Sequence, residues 1–414
     1  MPKLKTIGAV ALAAALALLV APASQAVTTC NVPGDHATIQ SAATDASCDI
    51  IKVAPGVYNE NVTVTHSCEI DGAQAGNPFS GRTSGGPGES TVNSTSTVGS
   101  SATFTILAID VTIDGFTIKN NANTLGAATG VVVKGVGNDA VIVNNILDTI
   151  TTPDTSSNGT AQAVYLENGP DGVNIENNEM RNISSNRSAK GVLIGDSAAP
   201  SPSNNVQVKG NSIHDVTSTT RGAYGVSMGN IMGASGLMIL KNDITSLNSG
   251  GWIHAIGMER DTPSLVVMDN NISALNTGSL DRTAVWFESN PSFGSALVHN
   301  NNFDLTPAAY GIAVHPLLAA AFPNASVNGT CNWWNSPSGP TTPSNPGGTG
   351  AQVSSNVSYN PWLIAPAPGG NCFGGNVPTT AAQCKNGGWM TSTRSDGSTF
   401  KNQGDCIQYV NTGK

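Results

Sequence analysis

The sequence predicts an all-β fold: a right-handed parallel β-helix (solenoid) of about 9–10 coils of three short strands, with a small C-terminal disulfide-stapled tail. Two ladders of recurring phrases carry this prediction. One phrase reads apolar-x-apolar-x-x-Asn-x-apolar and recurs at spacings of 33, 33, 31, 28 and 31 residues. Its asparagines are Asn145, Asn178, Asn211, Asn242, Asn270 and Asn301. The other phrase is a small residue followed by apolar-x-apolar. Its small residues are Gly130, Ala163, Gly191, Gly225, Ala255, Ala284 and Gly311.

Each phrase alternates as a short strand with one buried face does. A helix is disfavoured, because the phrases are short, alternate with period two and are bounded by Gly, Asn and Pro. Both phrases recur with the same period of about 30 residues, so each period is taken as one coil of the solenoid. Each coil is predicted to hold the small-residue strand, a strand that ends in the Asn turn, a third short strand and a variable loop.

The asparagines are predicted to form a structural ladder. A sharp turn between strands needs a left-handed backbone, which Asn tolerates better than any residue except Gly. Amides stacked at the coil spacing of about 4.8 Å can also hydrogen-bond from one coil to the next. The six residues are therefore assigned to the scaffold and not to catalysis. A related phrase, VTIDGFTI, carries Phe116 at the Asn position.

The first 26 residues have the pattern of a secretory signal peptide: two lysines, an apolar run, and small residues ending at Ala26. No later stretch approaches the roughly 20 apolar residues of a membrane-spanning helix. The protein is therefore predicted to be secreted and extracellular, with no transmembrane segment. The predicted domains are the β-helix over 27–363, a linker over 364–383 rich in Pro, Gly and Ala, and the tail over 384–414.

The charge balance argues against a nucleic-acid partner. Only 11% of residues are charged and the formal net charge is −9, with no basic stripe. We expect a monomer. No certain cofactor is indicated.

Seven cysteines in an exported chain predict disulfides. By proximity in sequence, the expected pairs are Cys30–Cys48, Cys331–Cys372 and Cys384–Cys406, the last flanking a Gly-rich hairpin. Cys68 is left free, although a Cys48–Cys68 pair stays open. No Cys-x-x-Cys spacing or His/Cys cluster indicates a zinc site.

The stretch ATIQSAATDASCDIIKVAPGVYNENVTVTHSCEIDGA resembles the first coils of right-handed β-helix proteins of the pectin lyase-like superfamily, in the secreted bacterial form. CNWWNSPSGPTTPSNPGGTGAQVSSNVSYNPWL resembles the closing region of secreted bacterial members. The resemblance covers Cys30 to about Trp362. It implies that the Asn turn joins the second and third strands, and that a polysaccharide groove follows the outer face of the first strands. The superfamily includes enzymes and noncatalytic proteins, so the resemblance implies a fold and no single activity.

Reading outward positions two and four residues after each small residue gives the candidate site. Glu259 and Glu288 hold equivalent positions in neighbouring coils, about 4.8 Å apart. Such a pair could hold calcium, share a proton, or divide acid and nucleophile roles. Catalytic candidates are Glu259, Glu288 and His315, and the two glutamates are also the metal candidates. Substrate-binding candidates are Trp286, Tyr165 and Glu167, with Arg282 from the loop before the first strand.

The catalytic phrases of polygalacturonases, pectate lyases and pectinesterases are missing. The first hypothesis is therefore a module that binds extracellular or cell-wall polysaccharide or serves a structural role at a surface. The second is a polysaccharide-degrading enzyme, a pectate-lyase-like lyase or a glycoside hydrolase, that acts in the groove. A third is a spacer without ligand, in which loops would fill the groove.

Overall fold

The computed structural model describes residues 26–195, 201–229, 233–276, 281–372, 377–392, 394 and 398–413. Almost all of the predicted signal peptide lies outside the described residues. The chain winds through about nine turns of a parallel β-solenoid. Each coil adds one strand to each of three sheets, which we number by the order in which a coil visits them, and the strands pair in parallel with their equivalents one coil away.

The first sheet contains the small-residue strands. Its members are β4 (Val62–Val64), β7 (Ser101–Ile106), β10 (Ala128–Lys134), β13 (Thr160–Glu167), β16 (Ser188–Ile194), β19 (Gly222–Met228), β23 (Trp252–Met258), β26 (Asp281–Phe287), β29 (Tyr310–Val314), β31 (Pro340–Thr341) and β32 (Gly350–Val353).

The strands of the second sheet lie just before the Asn turn. Its members are β1 (Thr29–Val32), β2 (Ile50–Val53), β5 (Glu69–Asp71), β8 (Thr112–Asp114), β11 (Val141–Val143), β14 (Asn174–Glu176), β17 (Gln207–Lys209), β20 (Met238–Leu240), β24 (Val266–Met268), β27 (Leu297–His299), β30 (Val327–Asn328) and β33 (Val357–Ser358).

The third sheet follows the Asn turn. Its members are β3 (Gly56–Asn59), β6 (Ser90–Asn93), β9 (Phe116–Asn120), β12 (Ile146–Thr152), β15 (Glu179–Ser185), β18 (Ser212–Ser218), β21 (Asp243–Ile244), β22 (Leu247–Ser249), β25 (Asn271–Ser273) and β28 (Asn302–Asp304).

The inward residues of the three sheets form one continuous core. Phe104 on β7, Ile142 on β11 and Val164 on β13 are fully buried. Helix α1 (Ile39–Ala43) covers the N-terminal end of the solenoid and buries Ile39 completely. Helix α2 (Pro316–Ala321) follows β29, and a single 3₁₀ turn spans Phe293–Ser295. No described helix has the length and apolar character that crossing a membrane would require.

The Asn ladder fills the buried corner between the second and third sheets. Each Oδ1 accepts from the ladder residue one coil earlier: Asn178 Oδ1 lies 2.9 Å from Asn145 N and 3.1 Å from its Nδ2. Asn332 continues the ladder, since its Oδ1 accepts from Asn301 N and Nδ2, both at 2.9 Å. Within the described part of the chain the ladder therefore has seven members, all at most 1% exposed. The sequence phrase missed the seventh because Gly329 stands where the phrase has its second apolar residue.

The left-handed backbone lies one residue earlier than the sequence predicted. Positive φ angles, between 52° and 74°, occur directly before the phrase positions. These residues are Gly115, Asn144, Asn177, Gly210, Lys241, Asp269, Asn300 and Cys331. The expectation was wrong because two neighbouring residues have separate roles in the turn. The preceding residue makes the turn, and the ladder Asn supplies the amide.

The small residues of the first sheet mark a bend. Register pairing joins Thr129 to Gln162 and Val131 to Val164 but skips Gly130 and Ala163. A Cβ on Gly130 would lie 2.6 Å from the Ala163 carbonyl oxygen. Close backbone approach at the bend therefore restricts this position to small residues.

The three disulfides join Cys30 to Cys48, Cys331 to Cys372 and Cys384 to Cys406. These are the pairs expected from the sequence. Cys68 is a free, buried thiol, and burial raises its pKa to about 11.

The tail is helical, and the predicted hairpin is wrong. It contains α3 (Gly388–Thr391) and α4 (Gln403–Thr412). The Asn402 side chain accepts from Asp405 N at 2.9 Å, and Gly413 ends α4 in a left-handed conformation. These caps supply hydrogen-bond partners for backbone groups at the two ends of α4, which have no partner within the helix. The tail has its own small core, separate from that of the solenoid, in which Cys384, Phe400 and Cys406 are buried.

Candidate functional site

An open groove of about 610 Å³ runs along the outer face of the first sheet, across the coils from β7 to β23. Its floor and walls come from side chains that project outward from successive strands. The lining includes Lys134, Gln162, Tyr165, Glu167, Arg187, Lys190, Leu193, Arg221 and Glu259. The groove therefore lies on the face where the family resemblance places it.

Three rows of outward positions line the groove, and sequence reading found two of them. The residues two and four positions after the small residue do face outward, as Tyr165 and Glu167 show. The missed row lies immediately before the small residue. Gln162 and Lys190 of this row line the groove, and Tyr224 holds the position equivalent to Lys190 one coil later. Strict alternation assigns this row to the core, but the bend at the small residue turns it outward. The polar character of Gln162 and Lys190 was the signal available in the sequence.

Basic side chains outnumber acidic ones along the groove. Lys134, Lys190, Arg187 and Arg221 line it, against two carboxylates, in a chain whose net charge is −9. Arg187 and Arg221 occupy equivalent places in adjacent coils, since Arg221 N donates to Arg187 O at 3.2 Å. Among the described residues, neither guanidinium has an ion-pair partner. The two arginines are therefore available to an anionic ligand.

Lys190 lies between these arginines and a buried tyrosine. Its Nζ sits 5.1 Å from the centre of the Tyr224 ring, which places a cation over an aromatic face. Desolvation lowers the pKa of the Lys190 ammonium, and the nearby Glu259 carboxylate acts in the opposite direction. Burial therefore disfavours the charged form of Lys190.

Glu259 is held in place by a hydrogen-bond chain. Trp252 Nε1 donates to Tyr224 Oη at 2.5 Å, and Tyr224 Oη donates to Glu259 Oε1 at 2.7 Å. Tyr224 is only 3% exposed, and burial, followed by the Glu259 charge, raises the pKa of its phenol. Tyr224 therefore remains a protonated donor and fixes one oxygen of the Glu259 carboxylate.

The N-terminal part of the groove contains a second ordered pair. Lys134 Nζ lies 2.7 Å from Glu167 Oε2, from neighbouring coils, and both side chains are partly exposed. Tyr165, two residues nearer the bend than Glu167, presents part of its ring to the groove. Of the sequence candidates, Tyr165, Glu167 and Glu259 are thus brought together in this groove.

The other candidates lie beyond the described lining of the groove. Glu288 follows β26 and is exposed, and Arg282 lies on the same strand. The backbone N–H groups of Glu259 and Glu288 donate to Met228 O and Met258 O, so the two glutamates do occupy equivalent positions in adjacent coils. No described group of three or more His, Cys, Asp or Glu donor atoms contains either glutamate. Calcium needs six to eight oxygen ligands, so a bound ion here would depend on the ligand or water for most of its shell.

Trp286 and His315 belong to an aromatic column past the end of the groove. The His254 and Trp286 rings stack with centroids 5.0 Å apart, and His315 meets Trp286 edge-on at 5.8 Å. His254, in the missed outward row, is also 3.3 Å from Asp281 Oδ2. One face of Trp286 is therefore already occupied by a protein ring.

The fold is a right-handed parallel β-helix with an open groove on its first sheet. A family model described as "right handed beta helix region" matches residues 129–316. Over these residues the chain has the pattern of a right-handed β-helix. A comparison of the sequence with curated proteins found no match.

Three solved structures are similar to this chain at low sequence identity. A Dettilon tailspike protein has 12% identity and a TM-score of 0.44, with 80% of this chain and 66% of that chain covered. An alginate lyase from Paenibacillus sp. str. FPU-7 has 14% identity and a TM-score of 0.45, with 80% and 99% covered. A pectin methylesterase in complex with a hexasaccharide has 12% identity and a TM-score of 0.31, with 62% and 82% covered.

Proposed function

We propose that this protein binds an acidic extracellular or cell-wall polysaccharide along the groove of the first sheet. The observation that supports this most directly is the surplus of basic side chains in an open groove of an acidic protein. A hydroxylated polymer bearing carboxylates would pair with Arg187 and Arg221, while carboxylates of the protein would accept from its hydroxyls. The extracellular setting rests on the predicted signal peptide, which N-terminal sequencing of exported protein would test.

The repeat of the solenoid supports a polymer over a small molecule. Outward side chains recur at the coil spacing of about 4.8 Å, which is close to the length of one pyranose ring. Equivalent groups such as Arg187 and Arg221 can therefore meet successive sugars. Tyr165 offers an aromatic surface of the kind that stacks on a sugar ring. An open groove also favours this proposal over a spacer whose groove is filled.

Binding should depend on the arginines of the groove. The double substitution Arg187→Gln and Arg221→Gln should weaken the affinity for polygalacturonate or alginate by at least about tenfold, because hydrogen bonds to charged groups contribute about 1.5–3 kcal/mol each. Isothermal titration calorimetry on oligosaccharides of defined length would measure the change. The matched control is Arg260→Gln with Arg282→Gln, which removes the same charge outside the groove lining. Equal loss in both pairs, or equal binding of neutral glucans, would contradict the proposal.

A polysaccharide-cleaving activity is the second candidate, and the fixed carboxylate of Glu259 in the groove favours it. In this version Glu259 and Glu288 supply the catalytic carboxylates or ligate calcium, with His315 and Trp286 beside them. Release of reducing ends or unsaturated uronate products should then fall by at least about a hundredfold in Glu259→Gln and Glu288→Gln. Parallel assays with calcium and with EDTA test the metal assignment. Product formation that survives Glu288→Gln would remove the paired-carboxylate site.

A further inference from the structure

One amide oxygen in the floor of the groove has no hydrogen-bond partner. Gln162, on β13, lines the groove and is only 3% exposed. Its Oε1 atom is buried and accepts no hydrogen bond from the described residues. Other unpartnered buried atoms occur in the described chain, but none of them belongs to another described residue of the groove lining. A buried acceptor without a donor is costly, so Gln162 Oε1 needs a donor that comes from the groove.

The Gln162 amide can meet a ligand without a change in the backbone. Gln162 lies in the outward row before the bend, and its register partner in the next coil is Lys190, which also lines the groove. The terminal torsion of a glutamine side chain is broad, so the amide can turn its oxygen toward the groove. A hydroxyl group bound at this coil can therefore donate to Oε1.

The next coil supplies cations close to this amide. The backbone of Lys190 lies about 4.8 Å further along the solenoid, and Arg187 precedes it on the same coil. The Lys190 ammonium faces the Tyr224 ring at 5.1 Å and forms no ion pair within the described part of the chain. Since burial lowers the pKa of Lys190, an anionic group beside it would restore its charge. Gln162 and Lys190 thus present an acceptor and a donor that do not satisfy one another.

A uronate ring carries the complementary pair of groups. Its carboxylate can accept from Lys190 and Arg187, and a ring hydroxyl can donate to Gln162 Oε1. One coil spacing of about 4.8 Å is close to the length of one pyranose ring, so a single sugar can reach both coils. The floor therefore matches a charged sugar that has a free hydroxyl beside its carboxylate.

We propose that Gln162 is a specificity-determining residue that selects uronate polymers with free ring hydroxyls over the same polymers carrying O-acetyl groups. This inference rests on the proposed binding of an acidic polysaccharide in the groove. An O-acetyl ester has lost the hydroxyl hydrogen and cannot donate to Oε1, and it adds bulk where the ring meets the floor. The amide oxygen then stays unpaired in the complex, which lowers the affinity.

The test measures the affinities of two ligands for two proteins by calorimetry. The ligands are polygalacturonate oligosaccharides of one defined length, unmodified and partly O-acetylated. The proteins are the wild type and Gln162→Met, which removes the amide but nearly keeps the side-chain shape. O-acetylation should weaken binding to the wild type by at least about tenfold. In Gln162→Met the ratio between the two affinities should shrink by at least about fivefold, which isolates the contribution of the hydroxyl–amide pair.

Thermal unfolding of ligand-free Gln162→Met separates recognition from a structural role. Its midpoint should rise or stay unchanged, because the substitution removes an unpaired buried oxygen. Ser227→Ala is the matched control. Ser227 Oγ, on β19 of the same sheet, is also buried without a described partner, but Ser227 lies outside the described groove lining. This control should keep both affinities within about twofold of the wild type.

Three results would overturn the proposal. They are an affinity ratio that is the same in the wild type and Gln162→Met, equal binding of both ligands by the wild type, and a Gln162→Met protein that loses stability and binding together. If the wild type bound both ligands equally well, the binding of acidic polysaccharide would stand and only the role of Gln162 would fall. A wild type that bound neither ligand would remove both proposals.

Discussion

At the level of single residues, burial decides which titratable groups keep their ordinary charge. Desolvation raises the pKa of the Cys68 thiol to about 11, raises the pKa of the Tyr224 phenol, and lowers the pKa of the Lys190 ammonium. In each case the neutral form gains relative to the charged one, as expected where water is excluded. At the groove, the protonated Tyr224 phenol, a hydrogen-bond donor, therefore lies beside Lys190, whose charged form is disfavoured by burial.

Asp71 is the residue for which this effect gives a pH prediction. Burial, followed by the neighbouring Glu69 and Asp114 charges, raises its pKa from 3.8 to about 6. The folded state therefore holds a proton that the unfolded chain releases, so stability falls as the pH rises from about 4 to about 6. Asp71→Asn should stabilise the protein at pH 8 by up to about 3 kcal/mol and change little at pH 4.

Denaturant unfolding of both proteins at pH 4 and pH 8 would measure this difference. Asp110→Asn, an exposed position with the same change of charge, is the control and should show no such pH dependence. Loss of the Lys52–Asp71 ion pair, 3.7 Å apart, works against the gain but is small because the Lys52 side chain is 58% exposed. An equal effect of Asp71→Asn at both pH values would show that its carboxyl is not the titrating group.

Residue positions in the site were only partly predictable from the sequence. Tyr165, Glu167 and Glu259 followed from alternation, because they lie after the bend, where period two holds. Lys190, Tyr224 and His254 were missed because alternation breaks at the small residue, and a period alone cannot show such a break. Likewise, alternation placed Trp286 outward but could not show that His254 stacks on it.

At the level of elements, the Asn ladder is the feature that holds each turn in place. A ladder amide is buried, donates to backbone carbonyls and accepts twice from the preceding coil. Asn211, for example, donates through Nδ2 to Ile175 O at 2.9 Å and accepts from Asn178 at 3.0 Å twice. Removing one amide therefore leaves polar groups unpaired in two coils.

Asn211→Ala should destabilise the protein by about 2–5 kcal/mol, because each buried group left unsatisfied costs about 1–3 kcal/mol. Chemical denaturation followed by circular dichroism would measure the loss. Asn77→Ala, at an exposed loop position, serves as the control and should stay within about 0.5 kcal/mol of the wild type. A similar small change for Asn211→Ala would mean that water replaces the ladder bonds.

The elements also show what a sequence period can predict. The strands, their order and the position of the Asn corner followed from two phrases with one period. The turn residues did not, because Lys241 and Cys331 adopt positive φ without belonging to the residue types that favour it. The tail helices were missed for lack of a repeat; their caps, Asn402 and Gly413, were the available signal.

At the level of the whole molecule, the solenoid and the tail are stabilised in different ways. The solenoid has one continuous apolar core, and the Cys331–Cys372 disulfide fastens its last coils to the segment that follows. The tail relies on a small cluster around Cys384–Cys406, with the Arg394 guanidinium 4.7 Å from the Phe400 ring centre. A core of this size needs its disulfide to persist.

A chain that ends at Val377 should therefore keep the thermal stability and the groove of the full protein. The tail residues it lacks share no described apolar cluster with the solenoid, so the midpoint of calorimetric unfolding should move by less than about 2 °C. Cys331→Ser with Cys372→Ser is the contrasting variant. This variant loses a disulfide whose cysteines are 41 residues apart, and its free energy of unfolding should fall by about 2–4 kcal/mol. If the unfolding midpoint of the truncated chain fell as far as that of the disulfide variant, the tail would be packed into the solenoid and would not be a separate module.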